Sequence, residues 1–423
     1  VTNGLLDIDF VRQKLLAVVE QIQKLKSSDF PYEEPRAALV LLEQLYKSDL
    51  ARLEAVDAST DPIVRQQICA HANSRVARYY HVLGFILRST NVRNAFEIYD
   101  PLLNMCRVIY GPAAKLIVSS EWMFSPFTYP AVTDDLPDLM FIGLPSTEAG
   151  NSLIVPLAGH ELGHSVWRKA SPSRPQFVND LNVNLQKLLA SAYEQNWVDF
   201  QKVFKTAEPK ERLLTDLFLR SIWTQSYRLA WRQVEELFCD VIGLRLFGES
   251  FLYSFIYLIA PSLGDRAPYY PTLAARVSVL TAASGQFGIV PPNDFASYFS
   301  DVGKRMPPTE AFVLKMADAA SNSIKSEIVD AVKNHVDTTG LILPSDSERD
   351  RIVKHFGALS PGSRIQSLGD VVNAGWQIRL DWTHWDKFNF KPEIRLEILN
   401  DLVFKTMEVM EFEYRTAGTP AHA

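Results

Sequence analysis

Cysteine is scarce in this chain of 423 residues. There are three, Cys69, Cys106 and Cys239, far apart and odd in number. That spacing builds neither a disulfide framework nor a C-x-x-C metal pair, and it fits a reducing compartment. Long apolar runs are missing too. The longest, residues 251–260, stops at Pro261, is too short to span a bilayer and reads as a buried core helix. There is no basic excess: the net charge is −6, which argues against nucleic acid or an anionic membrane as partner. The opening residues, Val1-Thr2-Asn3-Gly4-Leu5-Leu6-Asp7, show no basic segment followed by an apolar one. The expectation is therefore a cytoplasmic protein without a membrane span. What remains is a 47% hydrophobic, 22% charged composition, that of a globular chain long enough for one large domain or two to three ordinary ones.

Apolar periodicity predicts helices over 5–26, 33–58, from Asp61-Pro62 to about 87, and over 92–110, where Gly111-Pro112 ends the run. Between 114 and 147 the pattern turns extended. Residues 115–120, 122–124 and 139–145 are strand candidates, punctuated by Pro126, Pro130 and Pro137. An edge strand there would suit an extended peptide added in strand form; an ordinary buried strand is the alternative of equal weight. Helices follow over 177–204, 210–223, 226–247 and 251–260, then 310–319, 323–336, 347–356, 367–380 and 392–415. The fold expected is mainly α with a small β-sheet, in three regions: helical residues 1–112, a core at 113–290 and helical residues 291–423. His71 and His81 lie in the first region with nothing near them at metal-site spacing.

Histidine is also rare, eight in all, yet two of them fall in His160-Glu161-Leu162-Gly163-His164. By chance such an H-E-x-x-H is expected about 0.01 times in a chain of this composition. On a helix, residues four apart project from one face, so both imidazoles can bind one Zn²⁺ while the glutamate reaches a water there. The flanks Leu153, Ile154, Val155, Leu157, Val166 and Trp167 are apolar, so polar groups at the centre of this helix need partners. Gly159 and Gly163 form helix poorly but admit another backbone or a substrate. The alternative is a pair of core histidines satisfied by hydrogen bonds.

A catalytic zinc takes three protein ligands and an open position. Six residues after His164, where a third histidine would extend the motif, stands Ala170. The stretch from Val234 to Gly243 offers Glu236 and Asp240, four apart on one face of a buried helix. Glu236 is the candidate third ligand. Asp240 would accept the second ring proton of a ligating histidine, His160 by preference, and fix its tautomer. Glu235 is the neighbouring alternative, and both glutamates could instead pair with Arg228, Arg232 or Arg245.

H-E-x-x-H followed by a distant E-x-x-x-D resembles the gluzincin clan of zinc metallopeptidases. Farther on, the segment from Tyr269 to Leu280 is similar to the T-H-P-P-L-x-x-R-I-x-x-L stretch of the branch containing the CAAX prenyl protease and bacterial heat-shock membrane proteases. Pro271, Leu273, Arg276 and Leu280 match, Tyr270 stands at the family's histidine, and the membrane helices of that branch have no counterpart here. The likeness covers roughly residues 138–282. It implies a zincin-like core, zinc on His160, His164 and Glu236, Glu161 as general base, and a peptide or protein substrate. Tyr270, or Tyr269 beside it, could donate to the oxyanion, and Arg276 could bind a carboxylate of substrate or protein. A zinc-binding regulatory or interaction protein with a structural or vestigial site is the second expectation, and hydrolysis of a non-peptide amide the third.

Overall fold

The computed structural model describes residues 3–57, 59–89, 96–121, 125–129, 136, 138–169, 174–260, 266–299, 301 and 306–417. It is mainly α, with one small sheet among those residues. The chain divides into two compact units, Val1–Tyr99 with Gly111–Ala149, and Asp100–Tyr110 with Gly150–Ala423. This differs from the three regions read from sequence: the segments on either side of residue 290 form one unit, and the sheet belongs with the first helices.

In the first unit, α1 (Asn3–Lys26), α2 (Glu34–Glu54) and α3 (Pro62–Arg88) each bury one stripe. Leu15, Val19 and Ile22 meet Leu39, Leu42 and Tyr46, together with Tyr79, Val82 and Phe85. Helical spacing of three and four sets these contacts. Asp61 caps α3, accepting from the Ile63 and Val64 amides at 2.8 and 3.3 Å, with Pro62 in the first turn. The sheet has the order β1-β3-β2. β1 (Lys115–Glu121) and β3 (Leu139–Pro145) run parallel with Ile117 opposite Phe141, and the two-residue β2 (Phe127–Thr128) is antiparallel to β3. Phe141 packs edge-on to Phe85 at 5.6 Å. The extended stretch expected at 122–124 lies outside the described residues, as do 91–95. The helix expected from residue 92 begins at α4 (Tyr99–Ile109), after a 3₁₀ turn at Phe96–Ile98.

The second unit carries α5 (Ala158–Trp167), α6 (Gln176–Gln195), α7 (Trp197–Phe204), α8 (Leu217–Phe247), α9 (Glu249–Ile259) and α10 (Leu273–Phe287). It continues with α11 (Pro308–Ser323), α12 (Lys325–Asp337), α13 (Asp346–Gly357), α14 (Leu368–Leu380) and α15 (Pro392–Ala417). Two boundaries depart from the sequence reading. The helix expected over 177–204 breaks at Asn196, whose Nδ2 donates to the Ala192 carbonyl at 2.8 Å and closes α6. Of the two helices expected over 210–223 and 226–247, residues 210–212 form a separate 3₁₀ turn and Leu217–Phe247 is the single α8, capped by Asp216. Thr224 and Ser226 do not break it, because both hydroxyls are satisfied: Thr224 donates to the Arg220 carbonyl at 2.7 Å and Ser226 to the Val313 carbonyl at 3.0 Å. The apolar run near 255 is α9, with Phe251, Leu252 and Phe255 buried. Among the described residues no helix is long and apolar enough to cross a membrane.

Candidate metal centre

Two helices build the site, and glycine lets them touch. A 3₁₀ turn, Ser152–Leu157, leads into α5 and contains Pro156, which supplies no amide for an α-helical bond. Its Leu153 carbonyl accepts from Ser254 Oγ at 2.7 Å and Trp376 Nε1 at 3.0 Å. The segment is thus α-helical only from Ala158. From there Gly159 and Gly163 face Gly243 and Cys239 of α8. A Cβ on Gly163 would fall 2.7 Å from Cys239 Cα, and one on Gly159 would fall 3.0 Å from Gly243 Cα. Trp167, 2% exposed, fixes the far end of α5 against Trp231 and Phe238, with ring centroids 4.7 and 5.1 Å away. The backbone freed by the glycines is that of α8.

This crossing brings the histidines of α5 onto the acidic face of α8. His160 Nδ1 lies 2.9 Å from Asp240 Oδ1, and His164 Nδ1 lies 3.0 Å from Glu235 Oε1. Both carboxylates are ionised, so each Nδ1–H donates, and both Nε2 atoms face inward. There they meet Glu236: Oε2 is 3.3 Å from His160 Nε2, and Oε1 is 3.8 Å from His164 Nε2. Glu236 is 3% exposed, yet its Oε2 has no hydrogen-bond partner. Nitrogen and oxygen ligands of one tetrahedral Zn²⁺ sit about 3.4 Å apart, from metal–ligand lengths of about 2.0–2.1 Å. Each imidazole has one Glu236 oxygen near that distance, Oε2 for His160 and Oε1 for His164.

The outer partners are cations. Arg276 of α10 is 8% exposed and grips Asp240 with two bonds, Nε to Oδ2 at 2.7 Å and Nη2 to Oδ1 at 2.6 Å. Arg168 holds Glu235 the same way, at 2.7 and 2.9 Å, and Arg232 reaches Glu235 Oε2 at 2.5 Å. Each histidine therefore ends a chain of the form Arg–carboxylate–imidazole. Burial works against charge on Asp240 and Glu235, but their arginine and histidine partners outweigh it and hold both near 2. Burial opposes charge on Glu236 as well, and the histidines still lower its pKa. For His160 burial favours the neutral ring, yet the bonds to Asp240 and Glu236 prevail and lift it to about 10. In the metal-free chain a proton thus answers the surplus of carboxylate, at the position where a cation would do the same. Glu161, 7% exposed, is shifted the other way: burial pushes its carboxyl pKa up.

Cys239 enters the same cluster. Ligand atoms of His160, His164 and Cys239 lie within 4.8 Å of one another, a group that could hold a metal ion. Its thiol pKa is raised far above the ordinary value, by burial and then by Glu236 and Glu235. The glutamate and the thiol are overlapping choices for the third position.

Of the residues singled out from sequence, His160, Glu161, His164, Glu236 and Asp240 are together here. Arg276 is spent on Asp240 rather than left open to an incoming anion. Tyr270, just before α10, is 48% exposed; partial burial and then the charge of Glu236 raise its phenol pKa, so its hydroxyl senses the site. Tyr269 is 57% exposed. Ala170 lies outside the described residues. Of the arginines that sequence reasoning offered Glu235, Arg232 is the one that holds it; left out were Glu235 as the partner of His164, Arg168 as its other anchor, and Cys239. Arg168 sits four residues after His164, a helical spacing that could have found it. Nothing in the spacing of the cysteines pointed to Cys239. Comparison of the chain with family models, curated proteins and solved structures finds no match.

Proposed function

We propose that this chain is a zinc-dependent peptidase of gluzincin type, with a zincin-like core in which His160, His164 and Glu236 hold the metal and Glu161 is the general base. One observation carries the reading: two imidazoles with anchored Nδ1 atoms turn their Nε2 atoms onto a buried carboxylate that has an unpartnered oxygen. Bound zinc supplies Lewis acidity, which polarises a carbonyl and makes water a stronger acid.

The chain's own residues do the rest. Glu161 takes a proton from the attacking water on its carboxylate and returns it to the leaving amine; its upward shift brings its basicity closer to neutral pH, where proton transfer in both directions is efficient. Asp240 and Glu235 keep the imidazoles in one tautomer and one orientation. Tyr270, whose phenol feels the charge of Glu236, would donate its hydroxyl proton toward a developing oxyanion. Arg276 acts on the protein, by locking Asp240.

A second reading has an observation of its own. Cys239 in the donor group would give four protein ligands, the closed set of a structural zinc in a regulatory or interaction protein. A structural site has no use for a buried base beside the histidines, and Glu161 favours the peptidase. The test is metal analysis of the purified chain, then cleavage of unfolded protein by wild type and Glu161→Gln. We expect about one zinc per chain in both and a loss of roughly 10²–10⁴-fold in kcat/KM for the variant. Equal turnover with zinc retained would leave the structural reading standing.

A further inference from the structure

The metal centre has one donor more than a three-ligand site uses. Glu236 and Cys239 lie three residues apart on α8, one turn from each other, and both are buried at the crossing with α5. The thiol lies against α5 itself: a Cβ on Gly163 would come within 3.0 Å of Cys239 Sγ. Its ligand atom and those of both histidines fall within 4.8 Å of one another, while Glu236 faces the same histidines with its carboxylate oxygens 3.3 and 3.8 Å from their Nε2 atoms. We propose that Cys239 is an alternate donor to the same ion, so that the site holds metal through His160 and His164 with either Glu236 or Cys239. The inference rests on the metal site of the proposed peptidase and says how that site closes.

Nitrogen and sulfur ligands of one tetrahedral zinc are about 3.5 Å apart, given metal–ligand lengths of about 2.0–2.3 Å. The thiol, within 4.8 Å of a ligand atom of each histidine, thus needs a shift of at most about 1 Å to reach that spacing. The carboxylate is the resting donor and the thiolate the alternate. In the exchange one metal–oxygen contact breaks, one metal–sulfur bond forms, and the thiol proton leaves to solvent. Sulfur ligation favours zinc and cobalt over magnesium or manganese, so the alternate set also narrows which ions stay bound.

Cobalt(II) reports the difference, because a thiolate ligand adds an intense near-ultraviolet charge-transfer absorption that imidazole and carboxylate do not. The full chain is stripped of metal and reloaded with Co²⁺ alone. The band is expected to be weak in wild type, several-fold stronger in Glu236→Gln, lost in Cys239→Ser and unchanged in Cys106→Ser. If wild type and Glu236→Gln each bind cobalt without the band, or if the band survives Cys239→Ser, the alternate donor is wrong. The comparison of wild type with Glu236→Gln needs no cysteine substitution, so a poorly folding Cys239→Ser leaves the test intact. Bandless cobalt protein with Glu161-dependent cleavage overturns this inference and leaves the peptidase. A band without such cleavage does the reverse, and a chain that binds no cobalt overturns both.

Discussion

Each histidine here is held by a carboxylate, and each carboxylate by arginine, but the two chains differ in what surrounds them. Asp240 is fully buried and its partner Arg276 nearly so. Glu235 is buried too, yet the side chains of Arg168 and Arg232 keep about a third of their surface in water. Asp240→Asn should therefore do two things. It weakens the anchor of His160, lowering zinc affinity about 10–100-fold, and it leaves the Arg276 guanidinium buried without its counter-charge, at about 3–5 kcal/mol. Glu235→Gln should give a similar loss of affinity with a much smaller loss of stability, because its arginines can turn to solvent. Chelator competition and urea melts separate the two effects. Unchanged zinc affinity in both variants would mean that the imidazoles are oriented without their carboxylates.

A second carboxylate makes the opposite case. Asp370, in the first turn of α14, accepts from the Ser345 amide at 2.7 Å and has the helix N-terminus beside it, both of which favour charge. At 2% exposure burial outweighs them and lifts its pKa to about 6. The folded state thus holds this proton more tightly than the unfolded chain, whose value is near 3.8. The resulting stability is present in full below 3.8 and is lost as pH rises through about 6. Asp370→Asn keeps an oxygen for Ser345 without the charge. We expect it to stabilise the protein by about 1–3 kcal/mol at pH 7.5, with the gain vanishing near pH 4. A gain independent of pH would assign the effect to something other than ionisation.

Between elements, the crossing of α5 and α8 decides whether a site exists at all. Gly163→Ala places a methyl 2.7 Å from the Cα of Cys239, a backbone atom that cannot swing aside. The helices must part, at a cost of about 1–3 kcal/mol, and the histidines are then drawn off Glu236. Gly285 in α10 has nothing within 4 Å of the corresponding position, so Gly285→Ala should stabilise by about 0.5–1 kcal/mol on helix propensity alone. Opposite signs of the shift in Tm, with zinc loss confined to Gly163→Ala, are the expected result. Equal effects would mean that the crossing is not tight. The same crossing shows what could be read in advance. His160 with His164, and Glu236 with Asp240, are legible because both pairs are local: four residues on one helix always share a face. Cys239 and the Glu235–His164 bond depend on the rotation and spacing of two helices some 70 residues apart, which no single-helix periodicity contains. Helix ends were misread for a related reason. The sequence reading stops one helix at 223 and starts another at 226, yet the Thr224 hydroxyl is satisfied within α8 and that of Ser226 by α11.

For the whole molecule, the division into two units places the candidate metal centre entirely in the larger one, since α5, α8 and α10 all belong there, while the buried stripes of α1 to α3 form a separate core. The sequence boundary at residue 112 misses this because α4 is contiguous with the N-terminal helices along the chain, yet nearly all of it packs with the second unit. A bound ion stabilises only the structure that forms its site, by about 2.7 kcal/mol at a free concentration one hundred times Kd. Removing zinc with a chelator should then speed hydrogen exchange in α5 and α8, where His160, His164 and Glu236 lose their common tie. Amides near Leu15, Tyr46 and Phe85 should exchange at their former rate, because nothing in that core ligates the ion. Adding zinc back should restore the slow exchange of α5 and α8. A chelator that accelerates exchange equally in both units would show that they unfold as one. A chelator that changes neither would show that zinc contributes nothing to holding α5 on α8, and the histidines would then be no more than satisfied core residues.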